Sequence, residues 1–168
     1  MEALVRRAGG PSEGLVTLAN LTLRAALGAG GISHDKREGD GATPVGLLPI
    51  RQVFYRADRV ARPRCTMLAE PLAPDDGWCD DPSHRDYNRR VHLPHPAGHE
   101  ALWRDAAEYD VVGVLGWNDA PVERGRGSAI FLHVARPDYR PTAGCVALSL
   151  PDLHALLEAG ATALRVIP

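Results

Sequence analysis

Helical periodicity with both a start and a stop signal occurs once in these 168 residues, close to the C-terminus. Ser149 has the side chain of an N-cap, Asp152 follows three residues later, and Pro151 falls in the first turn, where a missing N–H is harmless. Leu153, Leu156 and Leu157 share one apolar face, and Gly160 ends the helix. Elsewhere the pattern is one of short strands. Ala3 to Arg7, Gly14 to Leu18, Leu21 to Leu27, Val111 to Leu115, Ser128 to Val134 and Ala163 to Ile167 are strand candidates, and Val45 to Phe54 is an apolar strand or loop interrupted by Pro49. Glu100 to Glu108 is a second, short helix candidate. Strands and helices do not alternate as a doubly wound parallel sheet requires, so the expected fold is mainly β (α+β) with one or two short helices.

The length suits one compact domain over residues 1–168, and the 45% apolar and 24% charged fractions are those of an ordinary globular protein. A net charge of −2 provides no basic face for nucleic acid. Lys36 is the only lysine; the remaining positive side chains are arginines, whose forked donors suit carboxylates. No run approaches the ~18 apolar residues of a membrane span. The N-terminal residues also lack the apolar core of a secretory signal, so a cytoplasmic location is expected if the N-terminus is intact, and a periplasmic or cell-wall one if a leader has been removed. Cys65, Cys79 and Cys145 are too few and odd in number for a disulfide framework. Composition says nothing about oligomeric state.

Between Arg62 and His99 the chain is rich in proline and histidine and has little periodicity, while Trp78, Tyr87 and Val91 imply that it packs against something. Cys79, His84, His92, His95 and His99 raise a metal reading, but they match no paired-ligand motif, and Pro94 and Pro96 break any helix that would align the rings. Hydrogen-bonded loop histidines are the plainer account, and no metal ligand set is assigned.

The stretch from Gly127 to Ser149 carries the chemistry. It places His133 at the end of an apolar strand, then a proline-rich turn, then Gly144-Cys145 opening a second apolar run. Neighbouring strands can bring that imidazole beside the thiol, and a thiol of ordinary pKa near ~8.5 needs such a partner to form the thiolate at neutral pH. Gly144 allows close approach of an acyl group, and the Gly144 and Cys145 amides are candidate oxyanion donors. A buried core cysteine and a structural histidine would give the same local pattern.

This segment resembles the active-site motif of the L,D-transpeptidase catalytic domain, or YkuD, family: a histidine after a strand, then Ser/Thr-His-Gly-Cys. The resemblance assigns His133 as base, Thr142 as the Ser/Thr position, Gly144 as the glycine and Cys145 as nucleophile, with the Val134 carbonyl orienting the imidazole. Lys36 to Gly46, with its Thr43-Pro44-Val45-Gly46, resembles the segment in which family members carry Thr-Pro-x-Gly, while Trp78-Cys-Asp-Asp-Pro, Tyr87-Asn-Arg and Gly116-Trp-Asn-Asp resemble a sub-branch whose motif is Thr-Ala-Gly-Cys. The likeness spans about Gly31 to Pro168 and implies a mixed β-sandwich. Ala143 and Ala147 replace the commoner histidine and Asn/Arg, so Arg136 or Arg140 is expected to supply the missing contact to a substrate carboxylate.

The resemblance implies acyl transfer on peptidoglycan stem peptides or muropeptides through a Cys145 thioester, with D-Ala leaving and no cofactor required. An amine acceptor makes a transpeptidase, and water makes an L,D-carboxypeptidase. Two alternatives stay open: a catalytically idle wall-peptide binding module, favoured by Ala143 and Ala147, and the histidine-based metal protein.

Overall fold

The computed structural model describes residues Met1–Pro168. Its strands are β1 (Glu2–Arg7), β2 (Glu13–Leu18), β3 (Leu21–Ala26), β4 (Ile32–Ser33), β5 (Thr43–Pro44), β6 (Gly46–Tyr55), β7 (Ala69–Pro71), β8 (Asp76–Cys79), β9 (Arg90–His92), β10 (His99–Ala101), β11 (Val111–Leu115), β12 (Phe131–Val134), β13 (Val146–Leu148) and β14 (Ala163–Val166). The one α-helix, α1, is Leu150–Glu158, and a 3₁₀ turn covers Ala107–Tyr109. No helix is long and apolar enough to cross a membrane.

Nine strands form one mixed sheet in the order β11-β12-β13-β3-β2-β1-β14-β6-β7, and a further β6–β11 pairing closes it on itself. The meander β1-β2-β3 follows from alternation: Val5, Val16 and Leu23 point inward while charged neighbours such as Arg6 and Arg24 face out. Helix α1 lies against this core through Leu153, Leu156 and Leu157, all essentially inaccessible. The Ser149 hydroxyl caps it by accepting the Asp152 N–H at 3.3 Å, and Gly160, at φ +88°, provides the left-handed residue that ends it.

Three sequence expectations are corrected. Pro49 does not interrupt β6: its carbonyl accepts from Gly116 N beyond the last residue of β11, so its missing N–H falls where the ladder needs no donor. Glu100 to Glu108 is not a helix, because His99–Ala101 pairs with β8 and only one 3₁₀ turn follows. Strand β12 begins at Phe131 rather than Ser128: Ala129, at φ +53°, donates its N–H to the Asn88 side chain instead of a neighbouring strand.

The region that lacked periodicity forms a second, three-stranded sheet, β10-β8-β9. Trp78 from this sheet meets Phe131 of β12 edge-on, with centroids 5.2 Å apart. Strand β12 therefore serves two cores by simple alternation. Leu132 and Val134 point into the closed sheet, while Phe131 points into a smaller cluster with Trp78, Tyr109 and Cys145. The site lies on that outer face.

Candidate active site

Strands β12 and β13 run parallel, with Leu132 opposite Val146 and His133 opposite Ala147. Paired residues share a face, and residues two apart along a strand do as well, so His133, Ala147 and Cys145 all project to the same side. The register thus places imidazole and thiol one pleat apart, with the small Ala147 beside the imidazole. The loop joining the strands is tied down at Thr142, whose N–H donates to Leu27 O and whose carbonyl accepts from Ala29 N, both at 2.9 Å.

Gly144 is required there by space and by conformation. Its φ is +131°, and a Cβ at that position would lie 2.7 Å from Ala42 O. Directly beneath it, a Cβ on Gly28 would lie 3.0 Å from the Gly144 Cα and 2.1 Å from Gly41 O. Two glycines in contact let the Gly144-Cys145 turn sit close against the 41–43 loop.

His133 is buried, and its Nδ1 donates to the Val134 carbonyl at 3.0 Å. A carbonyl only accepts, so the proton is on Nδ1 and the Nε2 lone pair is available. Burial lowers the imidazole pKa to about 4, with the Val134 carbonyl acting in the opposite sense. The Cys145 thiol is also buried. It donates to Ala129 O at 3.3 Å and accepts from Phe131 N at 3.3 Å, and no hydrogen bond joins it to His133. Burial pushes the thiol up to about 12, with the Phe131 N–H opposing that rise. Both groups are neutral at pH 7 in this state.

Both line a cleft of ≈ 630 Å³. One wall is the 36–41 loop, held by the buried Lys36, whose Nζ donates to Asp40 Oδ1 and to Arg37 O. The opposite wall is Glu100, Arg104, Glu108 and Tyr109. Tyr109 meets His133 edge-on at 5.4 Å, its hydroxyl donates to Glu100 Oε2 at 2.9 Å, and Arg104 lies 4.1 Å over its ring. Burial pushes the Glu100 carboxyl above its ordinary range, against the stabilising bond from Tyr109. Four cationic side chains (Lys36, Arg104, Arg136, Arg140) and four carboxylates (Glu38, Asp80, Glu100, Glu108) line the cleft, so it suits a ligand bearing both signs.

The expected substrate contacts are placed on the rim and are already engaged. Arg136 Nε pairs with Glu108 Oε1 at 2.5 Å, and Arg140 pairs with Asp138 at 3.0 Å, so a ligand carboxylate at either would compete with a protein one. Thr142 lines the cleft, and its hydroxyl also holds the turn, donating to Cys145 O at 2.8 Å and accepting from Gly144 N at 3.1 Å. The Gly144 amide, expected as an oxyanion donor, is engaged by the Thr142 hydroxyl in this state. The Cys145 amide donates to no protein acceptor and remains available. Sequence reasoning missed Glu100, Arg104, Glu108 and Tyr109, which lie on the short β10, the 3₁₀ turn and the link between them and carry no motif of their own.

Of the histidine-rich segment, Cys79 is buried and all three cysteines are free. His92 is exposed and pairs with Asp75, and His99 binds the Ala97 carbonyl, so the five residues do not converge as one set.

Comparison with protein-family models matches residues 15–167 to the YkuD family, described as the L,D-transpeptidase catalytic domain. The match begins before the Gly31 boundary expected from motifs, so it takes in β3 and all of β2 but its first two residues. No curated protein matches the chain.

Proposed function

From the premise that this chain belongs to the L,D-transpeptidase catalytic domain family, we propose that it transfers the acyl group of a peptidoglycan stem peptide through a thioester on Cys145. The observation that carries this reading is the parallel β12–β13 register, which puts a neutral imidazole and a thiol on one face of a charged cleft.

In this reading a stem peptide ending in a diamino acid and D-Ala occupies the cleft, its ammonium and carboxylate groups matching the two signs of charge there. The Cys145 side chain turns from the Ala129 carbonyl toward His133, and Nε2 takes the thiol proton as sulfur attacks the carbonyl of the L,D bond. A thiol this strongly desolvated reacts only when its proton has a place to go, so attack and proton transfer are coupled. The Cys145 N–H is positioned to donate to the oxyanion. His133 then returns the proton to the departing D-Ala nitrogen, leaving the thioester. An amine from a second stem peptide gives a cross-link; water gives the shortened peptide.

The test is mass spectrometry of the protein incubated with a tetrapeptide ending in D-Ala, beside Cys145→Ala. D-Ala released by the wild type alone supports the reading, and a tripeptide or a cross-linked dimer identifies the acceptor. A folded wild-type protein that gives neither D-Ala nor a +acyl adduct on Cys145 overturns it in favour of an idle wall-peptide binding module.

A further inference from the structure

We propose that His84, Asp86 and His95 form a binding site for a divalent transition-metal ion, Zn²⁺ by ligand type. His84 and Asp86 come from the β8–β9 connection and His95 from the β9–β10 connection, so the three are brought together by the small sheet, outside the catalytic cleft. His95 Nε2 lies 3.0 Å from Asp86 Oδ2, and His84 Nδ1 lies 3.7 Å from the same oxygen. One ligand atom from each residue falls within 4.8 Å of the others. Ligands about 2.0–2.2 Å from a tetrahedral zinc are themselves roughly 3.2–3.6 Å apart, so small side-chain adjustments enclose an ion. Two imidazoles and a carboxylate are borderline donors of the kind zinc takes, with a further position left for water or for His99, whose ring lies 6.2 Å from that of His95.

The protonation pattern is compatible. His84 Nδ1 accepts the Asp86 amide at 3.1 Å, so its lone pair already faces the site and the ion replaces that N–H. His95 must move its proton from Nε2 to Nδ1, giving up a long contact from the Ala97 amide at 3.3 Å and the bond to Asp86 Oδ2 at 3.0 Å, whose two atoms then both face the ion. The ring of His95 is largely buried, with 8% of its side chain exposed, and lies edge-on to His84 at 4.9 Å, which limits its freedom before any ion binds. An ion here ties both connections of the small sheet together. The same insert carries Asp80 into the cleft, and its Tyr87 hydroxyl donates to Glu38 and accepts the Gly127 amide. Metal binding is thus a clamp on one side of the cleft, independent of whether the thiol acts on wall peptides.

The full chain, stripped with chelator, is titrated with Zn²⁺ against a chromogenic chelator, and with Co²⁺ followed by its visible d–d bands. One equivalent per chain is expected, with a rise in thermal midpoint. His84→Ala and Asp86→Asn each weaken binding roughly tenfold or more, while His92→Ala leaves it unchanged. His95→Ala is included with a circular-dichroism check, and the two more exposed positions carry the test if it fails to fold. Zinc binding as tight in His84→Ala and Asp86→Asn as in the wild type, or none in the wild type, overturns the proposal.

Discussion

His133 is the residue whose environment is most consequential for the chain. Burial holds it neutral when folded, with its pKa near 4, whereas the unfolded chain titrates near 6.5. Between those values the unfolded chain binds a proton that the folded chain refuses, so stability falls as pH drops from 6.5 toward 4. A shift of that size corresponds to about 3 kcal/mol. Urea unfolding of wild type and His133→Gln at pH 7, 5.5 and 4 should show the difference between the two shrinking by about that amount toward the acid end. A constant difference would mean that the imidazole is not held neutral by its surroundings. The same burial leaves His133 with a free Nε2 lone pair at pH 7, as the proposed role of base requires. The sequence pattern shows a histidine at a strand end, and the motif resemblance points to the Val134 carbonyl as its orienting group, a contact the structure contains. The burial of the ring, against Tyr109 among others, is not specified by the local pattern.

At the scale of elements, the small β8–β10 sheet matters because it covers the outer face of β12. Its link to the main sheet is Asn88, which sits in a left-handed conformation at φ +56°. The Asn88 Oδ1 accepts from Trp78 Nε1 and from Ala129 N, and its Nδ2 donates to the carbonyls of Trp117 and Asn118. Asn88→Ala leaves four buried or half-buried groups without partners and places an alanine where φ is positive. It should destabilise the fold by about 3 kcal/mol or more in chemical denaturation. A loss below about 1 kcal/mol would show that water replaces the side chain without difficulty. This element was invisible to periodicity because its strands are three or four residues long and its order comes from side-chain-to-backbone bonds. Trp78, Tyr87 and Val91, all buried, were the sequence signs that it packs. Helix α1 is the opposite case: cap, proline, leucine face and terminal glycine are all local, and each is where the sequence places it.

For the whole molecule, closure of the sheet through β6 and β11 creates one continuous interior. Strand β14 lies between β1 and β6 in that closed surface, parallel to the first and antiparallel to the second. Leu164 on β14 is fully buried, whereas Leu47 on the neighbouring β6 is 43% exposed. Leu164→Ala should therefore cost about 2–5 kcal/mol, and Leu47→Ala under about 0.5 kcal/mol, by equilibrium unfolding. Equal effects at the two positions would place the interior elsewhere.

The sequence by itself determined what depends on near neighbours: the strand alternation, the capped helix, and the Gly144-Cys145 turn that no larger residue can form. It also placed His133 and Cys145 on adjoining apolar runs, because those runs are long enough to be strands. Only the tertiary structure decided that β12 and β13 are parallel and in the register that puts base, thiol and Ala147 on one face. It alone brought the 36–41 loop and the 100–109 segment to the thiol as cleft walls. It also set Arg136 and Arg140 against Glu108 and Asp138 before any substrate arrives. Strand order and ion pairing are contacts between residues far apart in the chain. Their energies depend on which surfaces meet, and no local pattern encodes that meeting.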